Sequence, residues 1–346
     1  MLASKSHLYT FWMSLQLETL ISFRCERKVG LKILPKMILV TGAAGFVGSH
    51  LVDRLLAEGH RVKGIDDLSS GKLDNLPCGF DLYKMDIRDS KVRQVVAEIK
   101  PDLIFHLAAQ ISVAASVRDP QFDADVNVGG SLNILEGARN IIGKRVKLIY
   151  VTSGGTVYGA PERVPVDESI PPLPLSPYGA SKLAVETYLP IYEKLSGLSY
   201  TILRLSNVYG PRQDPHGEAG VVAIFTQAML EGHSPNVFGD GNDERDYVFV
   251  GDVIEAIKIA SESERSGPFN IGTGIGTSTN KIFEILARHC GFSNTPIHLP
   301  RRPGDIGRIS LDIRRAHAQL GWLPKTLLED GLRSTVEWFK SETVNS

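Results

Sequence analysis

A tyrosine and a lysine four residues apart, Tyr178 and Lys182, are the side chains in this sequence with the clearest capacity for chemistry. In a helix, this spacing places both side chains on one face. A nearby ammonium favours the ionised form of a phenol and lowers its pKa, so that the tyrosine becomes a usable base near neutral pH. Such pairs are also common on protein surfaces, where they usually have no function. The prediction that Tyr178 and Lys182 act therefore depends on their surroundings.

Those surroundings begin with a strand, a glycine turn and a helix. Met37–Val40 is an unbroken apolar run typical of a strand buried on both faces, and Gly42, Gly45 and Gly48 follow it before a stretch with helical periodicity. Glycines let a pyrophosphate approach the backbone, where free N–H groups and the helix dipole favour negative charge. This pattern predicts a dinucleotide site.

The next two strands supply residues for the adenosine half of such a ligand. A strand over Arg61–Ile65 ends at Asp66, about 20 residues after the glycines, where a carboxylate would bind the ribose diol. Another strand over Phe80–Met85 ends at Asp86 and Ile87, and a residue at that strand end can hydrogen-bond adenine.

Two further strands bring small and hydroxyl residues to the same sheet edge. Leu103–Leu107 precedes small residues against which a cofactor could lie, and His106 within it is interpreted as a core histidine with satisfied hydrogen bonds. Lys147–Thr152 delivers the segment SGGTVYG to the carboxyl edge, where ligands bind in this architecture. A helix predicted over Asp123–Asn140 includes Asn127, whose side chain would be costly to bury without partners.

Beyond the strand predicted over Tyr200–Leu205, four polar residues are candidates for holding an anionic ligand. An arginine suits a diphosphate because its planar fork donates two hydrogen bonds at once. Each arginine alone would be interpreted as part of a surface salt bridge, and together they predict a phosphate site. The candidates are Asn207, Arg245, Arg302 and Asp305.

The composition excludes several classes of partner. The 346 residues include 38 Lys and Arg against 39 Asp and Glu, so no overall charge attracts nucleic acid or an anionic membrane. The three cysteines are scattered and lack metal-ligand spacing, which favours a reducing compartment, the cytoplasm, and predicts no metal site. No segment is typical of a membrane span.

The predicted fold is α/β, a Rossmann-type doubly wound parallel sheet with a smaller C-terminal substrate-binding lobe. Residues 1–36 fit nothing that follows and are interpreted as a disordered or over-extended N-terminal segment, with Met37 a plausible initiator. The nucleotide-binding domain is predicted over residues 37–210. Residues 211–346 are predicted to form mainly the substrate lobe, interleaved with late elements of the first domain.

With these residues in view, the chain resembles the extended short-chain dehydrogenase/reductases. Within them it is most similar to the NAD-dependent nucleotide-sugar epimerases and dehydratases, especially the UDP-glucose 4-epimerase group. The resemblance runs from Met37 to about Lys340 and rests on several motifs taken together. They are TGAAGFVGSH, the acid at Asp66, HLAAQ, SGGTVYG, YGASK, RLSNVYGPRQ, RDYVFVGDV and RRPGD.

The resemblance implies roles for individual residues in binding NAD. Tyr178 would be the catalytic base, and Lys182 would lower its pKa and hold the nicotinamide ribose. Asp66 and Asp67 would favour NAD over NADP by repelling a 2′-phosphate. The remaining cofactor residues would be Gly42, Gly45, Phe46 and Val47 at the pyrophosphate, Asp86 and Ile87 at adenine, and Leu107, Ala108, Ala109 and Asn127 further along the cofactor. The sugar nucleotide would be held by Asn207, Arg245, Arg302 and Asp305.

The chain departs from the family at one catalytic position. The hydroxyl residue that helps to bind the sugar's O4 lies four positions before the tyrosine of the VYG motif, and this chain has Gly154 there. Ser153 and Thr156 flank the position and could supply a hydroxyl, or a water could fill it. Dehydratase relatives carry an Asp-Glu pair and decarboxylases a Glu after this position, whereas this chain has Gly155 and Thr156.

The resemblance therefore implies inversion of C4 of a UDP-sugar through a transient 4-keto intermediate, by an enzyme with tightly bound NAD. The alternatives are another nucleotide-sugar reaction, namely 4,6-dehydration, decarboxylation or reduction, and a non-catalytic NAD-binding regulator. The sugar stays open, including whether N-acetyl forms are accepted. Relatives dimerise through two helices of each subunit, which predicts a homodimer through Asp123–Asn140 and Ala180–Leu195.

Overall fold

The predicted strand, glycine turn and helix form the start of the described structure. The computed structural model describes residues 34–216, 220–301 and 306–345. The segment 1–33, and with it nearly all of the predicted N-terminal extension, lies outside these ranges. Gly42 has a φ of +69°, and a Cβ there would lie 2.8 Å from the backbone nitrogen of Ala108. Glycine is therefore required by both conformation and space.

Thirteen strands occur in the described residues. In chain order they are β1 (Met37–Thr41), β2 (Arg61–Asp66), β3 (Leu82–Lys84), β4 (Leu103–His106), β5 (Lys147–Ser153), β6 (Ser199–Leu205), β7 (Asn207–Tyr209), β8 (Asn236–Phe238), β9 (Glu244–Phe249), β10 (Pro268–Ile271), β11 (Gly276–Ser278), β12 (Ile297–Leu299) and β13 (Arg308–Ile309).

Seven of these strands form one parallel sheet in the order β3-β2-β1-β4-β5-β6-β10. The order reverses between β1 and β4, and in such sheets ligands bind outside the carboxyl ends of the strands at this point. The predicted Rossmann-type doubly wound sheet is confirmed. The late strand β10 joins it, so the chain beyond residue 210 returns to the sheet, while the division into two lobes stays a prediction.

Twelve α-helices flank the sheets in the described residues. They are α1 (Phe46–Ala57), α2 (Lys91–Ile99), α3 (Val113–Arg118), α4 (Pro120–Ala124), α5 (Ser131–Arg139), α6 (Gly154–Val157), α7 (Pro177–Ser196), α8 (Val221–Leu230), α9 (Val250–Glu262), α10 (Thr279–Cys290), α11 (Arg314–Leu320) and α12 (Leu328–Asn345). None of the helices in the described ranges is long and apolar enough to cross a membrane.

The core lies on both faces of the large sheet. On one face, α1 and α9 pack with residues such as Leu51 and Val253 in one apolar cluster. On the other, α2, α5 and α7 contribute residues such as Val96, Ile134 and Leu189 to a second cluster. Helices on both faces explain why the strands are continuously apolar rather than alternating.

A second, smaller sheet carries candidate substrate residues. Its strands are ordered β11-β9-β13, and β7 pairs with β9. Asn207 at the start of β7 pairs with Tyr247, two residues after Arg245 on β9. This pairing brings two segments that are distant in sequence to one place.

The helix predicted over Asp123–Asn140 is present without a gap through Arg139, but it is not α-helical throughout. Helix α4 gives way to a π-helical segment, Asp125–Gly130, before α5 begins. Widened turns of this kind occur mostly as short insertions, frequently at functional sites. Gly130 is the last residue of this segment. A Cβ on Gly130 would lie 2.5 Å from Cγ1 of Ile87, so a larger residue would not fit there without a shift of Ile87.

Candidate active site

Helix α7 places Tyr178 and Lys182 at the carboxyl edge of the sheet. Ser176 caps its start by accepting a hydrogen bond from the backbone nitrogen of Gly179 at 3.1 Å, and Pro177 occupies the first turn. A Cβ on Gly179 would lie 2.8 Å from the backbone oxygen of Thr156. The helix start therefore packs tightly on the segment after β5.

The lysine of the pair is buried against an aromatic ring. Lys182 is 3% exposed, and its Nζ lies 4.5 Å from the ring centroid of Tyr150 on β5. The Tyr150 hydroxyl donates a hydrogen bond to the Lys182 carbonyl at 3.3 Å. Burial lowers the pKa of Lys182 to about 8, against the opposing charges of Glu186 and Asp123.

The pKa of Tyr178 differs from the sequence-based expectation. In the protein itself this pKa is raised, first by burial and then by the negative charge of Asp123. The lowering expected from Lys182 is not found: burial of the phenol dominates this pKa, and the charge that shifts it is that of Asp123. Ionisation of Tyr178 near neutral pH requires a further positive charge.

Asn127 is buried with its side-chain groups paired. Its Oδ1 accepts from the backbone nitrogen of Gln110 at 2.9 Å, and its Nδ2 lies within hydrogen-bond distance of the Gln110 carbonyl, Asp123 Oδ1 and Ser181 Oγ, at 3.0–3.1 Å. Ser181 in turn donates to the Tyr178 carbonyl at 3.0 Å. Asn127 thus fixes the loop after β4 to helix α7, beneath the predicted catalytic pair.

His106 is a core histidine, as the sequence predicts. Its ring nitrogens lie 2.7 Å from Thr41 Oγ1 and 2.8 Å from Ser131 Oγ. Burial, with a smaller effect of the Lys182 charge, lowers the pKa of His106 to about 3, so the ring is neutral. Thr41 Oγ1 also accepts from the backbone nitrogen of Ala108 at 3.2 Å, which ties the ends of β1 and β4 together.

The position of Gly154 is closed by a neighbouring side chain. A Cβ at Gly154 would lie 2.5 Å from Cδ1 of Leu311, which is fully buried. Ser153 and Thr156 are both partly exposed, and Thr156 Oγ1 lies 3.4 Å from the Ser153 carbonyl. They are the hydroxyl residues beside this position, and their catalytic role stays a prediction.

The glycine turn fits a dinucleotide. Gly42, Gly45, Phe46 and Val47 are partly exposed, while neighbouring Ala43, Ala44 and Gly48 are buried. A Cβ on Gly48 would lie 1.9 Å from the Gly42 carbonyl oxygen, so this glycine permits the close packing of helix and turn. Among the described residues no side chain caps the start of α1, which leaves its first N–H groups available to a pyrophosphate.

Asp66, which is predicted to bind the ribose, also holds the glycine turn. Its Oδ2 accepts from the backbone nitrogen of Ala44 at 2.9 Å and its Oδ1 from that of Leu68 at 2.8 Å. Burial raises its pKa despite these bonds. Asp67 is exposed and accepts two hydrogen bonds from Ser69. Asp66 can still accept from a ribose, because each carboxylate oxygen has more than one acceptor site.

The other predicted cofactor residues follow β3 and β4. Asp86 pairs with Arg88 at 2.6 Å, and hydrogen bonds from this guanidinium hold the Asp86 pKa below its usual range. Ile87 is buried and packs against Gly130. Leu107, Ala108 and Ala109 are partly exposed directly after the buried strand β4.

The predicted substrate residues are brought together only in part. Asn207 Oδ1 lies 3.9 Å from the place of a Cβ on Gly155, so it borders the SGGTVYG segment. Arg245 is partly exposed and donates to the Glu244 carbonyl at 2.9 Å. Arg302 and Asp305 lie outside the described residues, and their roles stay predictions.

Sequence reasoning missed two side chains of this site. Asp123 and Tyr150 are fully buried next to the tyrosine and lysine. In the sequence, Asp123 is one of many acidic residues near the start of a helix, where they are common. Tyr150 is one of several large residues in a predicted strand, so neither residue stands out. The topology alone makes them neighbours of Tyr178.

Comparisons with known proteins agree with this geometry. A family model described as GDP-mannose 4,6 dehydratase matches residues 39–335. A UDP-glucose 4-epimerase of Mycolicibacterium smegmatis is 50% identical over 311 residues, covering 88% of this chain and 99% of that protein.

Two solved structures are similar along almost their entire length. The UDP-glucose 4-epimerase of Thermotoga maritima with UDP-glucose is 47% identical, with a TM-score of 0.86 and coverage of 88% of this chain and 99% of that chain. The UDP-glucose 4-epimerase of Thermus thermophilus in complex with NAD is 44% identical, with a TM-score of 0.82 and coverage of 88% and 98%. The chain belongs to the family of NAD-dependent nucleotide-sugar epimerases and dehydratases.

Proposed function

We propose that this protein is an NAD-dependent epimerase that inverts C4 of a UDP-sugar through a transient 4-keto intermediate. The observation that carries the proposal is the placement of Tyr178 and Lys182 at the sheet edge, next to a glycine turn that fits a dinucleotide. The names of its relatives, UDP-glucose 4-epimerases at 44–50% identity, support the same reaction.

The cofactor would be held by the residues at the ends of the first four strands. The partly exposed Gly42, Gly45, Phe46 and Val47 line the pyrophosphate, and Asp66 accepts hydrogen bonds from the adenosine ribose. When bound, NAD supplies a hydride acceptor and donor for C4 and, in its oxidised form, a positive charge. The NAD preference rests on Asp66 and Asp67, which repel a 2′-phosphate.

The chain's own residues manage the proton of the sugar's 4-hydroxyl. Tyr178 Oη accepts this proton when hydride leaves C4 and returns it when hydride comes back to the other face. The Lys182 ammonium and the charge of the oxidised cofactor would together favour the tyrosinate and oppose the effects of burial and Asp123 on the pKa of Tyr178. Ser153 or Thr156 supplies the hydroxyl that orients O4.

The sugar nucleotide would be held by Asn207, Arg245, Arg302 and Asp305, as the resemblance implies. Asn207 borders the SGGTVYG segment, and the guanidinium of Arg245 on β9 would bind the diphosphate. Anchoring the diphosphate leaves the keto sugar free to turn over within the site. Neither the catalytic residues nor the residues that hold the sugar nucleotide determine which sugar is bound.

The alternative of a dehydratase has support from the description of the matching family model. Elimination of water needs a proton donor and a proton acceptor beyond the tyrosine. Gly155 and Thr156 occupy the positions of the acidic residues in the dehydratase and decarboxylase relatives, so epimerisation is the proposed reaction.

Product analysis separates these possibilities. The purified protein is incubated with UDP-glucose, UDP-galactose and their N-acetyl forms, and the products are identified by NMR. C4 inversion without added reductant supports the proposal, whereas a 4-keto-6-deoxy sugar, or net consumption of NADH when NADH is added, supports dehydration or reduction. A separate incubation with UDP-glucuronic acid tests decarboxylation, which would release CO2 and give a UDP-pentose. Lack of change with every sugar nucleotide contradicts an epimerase and favours the non-catalytic regulator.

Tyr178→Phe tests the assignment of the base. The variant lacks the phenol oxygen and should retain NAD binding while losing nearly all turnover. Tyr188→Phe on the same helix is the matched control and should retain turnover. Near-normal turnover of Tyr178→Phe would contradict the assignment.

We further propose a homodimer in the cytoplasm. Support for the dimer comes from two apolar side chains left exposed within the predicted helix Ala180–Leu195, Ile191 at 49% and Leu195 at 62%. Light scattering after size-exclusion chromatography should give twice the chain mass, and Leu195→Asp should lower it. Cys78 and Cys290 are free thiols, which suits a reducing compartment.

A further inference from the structure

Asp123 is a fully buried carboxylate that the proposed reaction does not use. Its Oδ1 accepts from Gln110 Nε2 at 2.7 Å and from Asn127 Nδ2 at 3.1 Å. Its Oδ2 is buried without a hydrogen-bond partner among the described residues. An unpaired buried oxygen is destabilising, so its presence in the candidate site calls for a role.

This carboxylate is connected to the helix that carries the catalytic pair. Helix α4, which contains Asp123, packs against α7. Asn127 Nδ2 donates to Asp123 Oδ1 and lies within hydrogen-bond distance of Ser181 Oγ, and Ser181 Oγ donates to the Tyr178 carbonyl. Asp123 is thus held in a fixed position relative to Tyr178.

In the part of the chain that the structure describes, the other ionisable groups around Lys182 are paired or neutral, although the charge of Glu186 raises the pKa of Lys182 more than that of Asp123 does. Glu186, on the same helix, is buried and already bound to Arg204, whose Nη2 lies 2.6 Å from its Oε2. From β4, His106 is held neutral by burial. From β5, burial raises the pKa of Tyr150 well above its usual value, so it stays protonated.

Of the two carboxylates that act on Lys182, Glu186 is bound to Arg204, whereas Asp123, on a helix that packs against the helix of Lys182, has no arginine partner among the described residues. A buried ammonium needs such a counter-charge to stay protonated in a site of low polarity. The charge of Asp123 favours the ammonium of Lys182 and also disfavours the tyrosinate of Tyr178.

We propose, building on the proposed function, that Asp123 is a positioning residue whose unpaired oxygen provides the counter-charge of Lys182 and sets the pH range in which the Tyr178–Lys182 pair works. Without this charge, Lys182 loses its proton at lower pH, and Tyr178 ionises at lower pH as well. Both limbs of the pH–rate profile should then move to lower pH together.

Asp123→Asn tests this proposal, because asparagine keeps the shape and the acceptor oxygen but removes the charge. The matched control is Asp125→Asn, the same change two residues away at an exposed position. We expect both limbs of kcat/KM against pH to shift toward lower pH in Asp123→Asn and to stay in place in the control. If Asp123→Asn does not fold, Asp123→Ser removes the charge with a smaller side chain. Its profile of kcat/KM against pH is then compared with those of the unmodified protein and the control.

A second measurement does not depend on turnover. In protein labelled with ¹³C at the lysine Cε, the Lys182 signal is identified by its loss in Lys182→Arg and titrated by NMR. We expect a lower midpoint in Asp123→Asn than in the unmodified protein. The proposal would be overturned if Asp123→Asn lowered the rate at every pH while both limbs of kcat/KM against pH and the midpoint of the Lys182 titration stayed in place. Asp123 would then be a structural residue. Lack of epimerase activity in the unmodified protein would instead overturn the proposed function, while the Lys182 titration would still decide the role of Asp123.

Discussion

Substituting Gly154 by serine places a hydroxyl residue at the position where the family carries one, yet we expect this change to destabilise the protein. The added Cβ would lie 2.5 Å and 3.1 Å from the two methyl carbons of Leu311 and 3.3 Å from the backbone oxygen of Arg204. Contacts under 3 Å force neighbouring atoms to move. Leu311 has little room to do so because it is fully buried with Val157, Tyr158, Val166 and Ile309.

The size of the effect follows from overpacking. Inserting a group into a well-packed core costs about 1–3 kcal/mol, and we expect Gly154→Ser to fall in this range. Leu311→Ala alone should cost about 2–5 kcal/mol through the cavity that it leaves. In the double variant the serine fills part of that cavity, so the combined loss should be smaller than the sum by about 1–3 kcal/mol.

Urea unfolding of the four proteins of this double-mutant cycle measures the coupling, with the slope m checked for each variant. Gly155→Ser is the matched control, since the nearest atoms to its Cβ lie 3.9 Å away, and it should stay within about 0.5 kcal/mol of the unmodified protein. A Gly154→Ser variant as stable as the unmodified protein, or a cycle without coupling to Leu311, would refute the steric explanation for this glycine.

Two further predictions follow from the same geometry. Gly42→Ala should lower stability by about 1 kcal/mol or more and weaken NAD binding in a calorimetric titration, because Gly42 has a φ of +69° and lies against Ala108. The control is Gly59→Ala, where φ is +83° but the surrounding space is open, and it should leave NAD binding unchanged. An equal loss of NAD binding in both variants would contradict the argument. Turnover should fall as pH rises through about 8, where Lys182 loses its proton; turnover that stays constant up to pH 10 would show that its charge is not required.

The sheet was predictable because local signals agree with the global fold. Buried strands, the glycine turn and the acid at Asp66 each have a physical cause that acts over a few residues. The boundaries differ only slightly: the strand predicted over Phe80–Met85 spans Leu82–Lys84, and that over Lys147–Thr152 extends to Ser153. These ends depend on pairing with neighbouring strands, which a single segment does not encode.

The electrostatics of the site were not predictable from spacing. Tyr178 and Lys182 lie on one helix, so their proximity follows from the sequence, but their burial and the charge of Asp123 depend on how α4 and α7 pack. The packing around Gly154 was not predictable either. The sequence indicates that a hydroxyl is missing at this position, but only the fold shows that Leu311, more than 150 residues later, fills the space that a side chain would need.

The π-helical turn at Asp125–Gly130 is another feature that periodicity could not predict. A helical repeat runs through Asp123–Asn140, and the widened turn is stabilised by tertiary hydrogen bonds of Asn127 to Gln110 and Ser181. Local propensity is overridden here by partners that are distant in sequence.

The central claim is that Tyr178 and bound NAD invert C4 without net oxidation, and an isotope experiment tests it most directly. UDP-galactose carrying deuterium at C4 is incubated with the protein at an NAD concentration far below that of the sugar, and the product is analysed by NMR. We predict UDP-glucose with the deuterium retained at C4, because the same hydride equivalent leaves and returns. A 4-keto product, or UDP-glucose with hydrogen from solvent at C4, would contradict this mechanism.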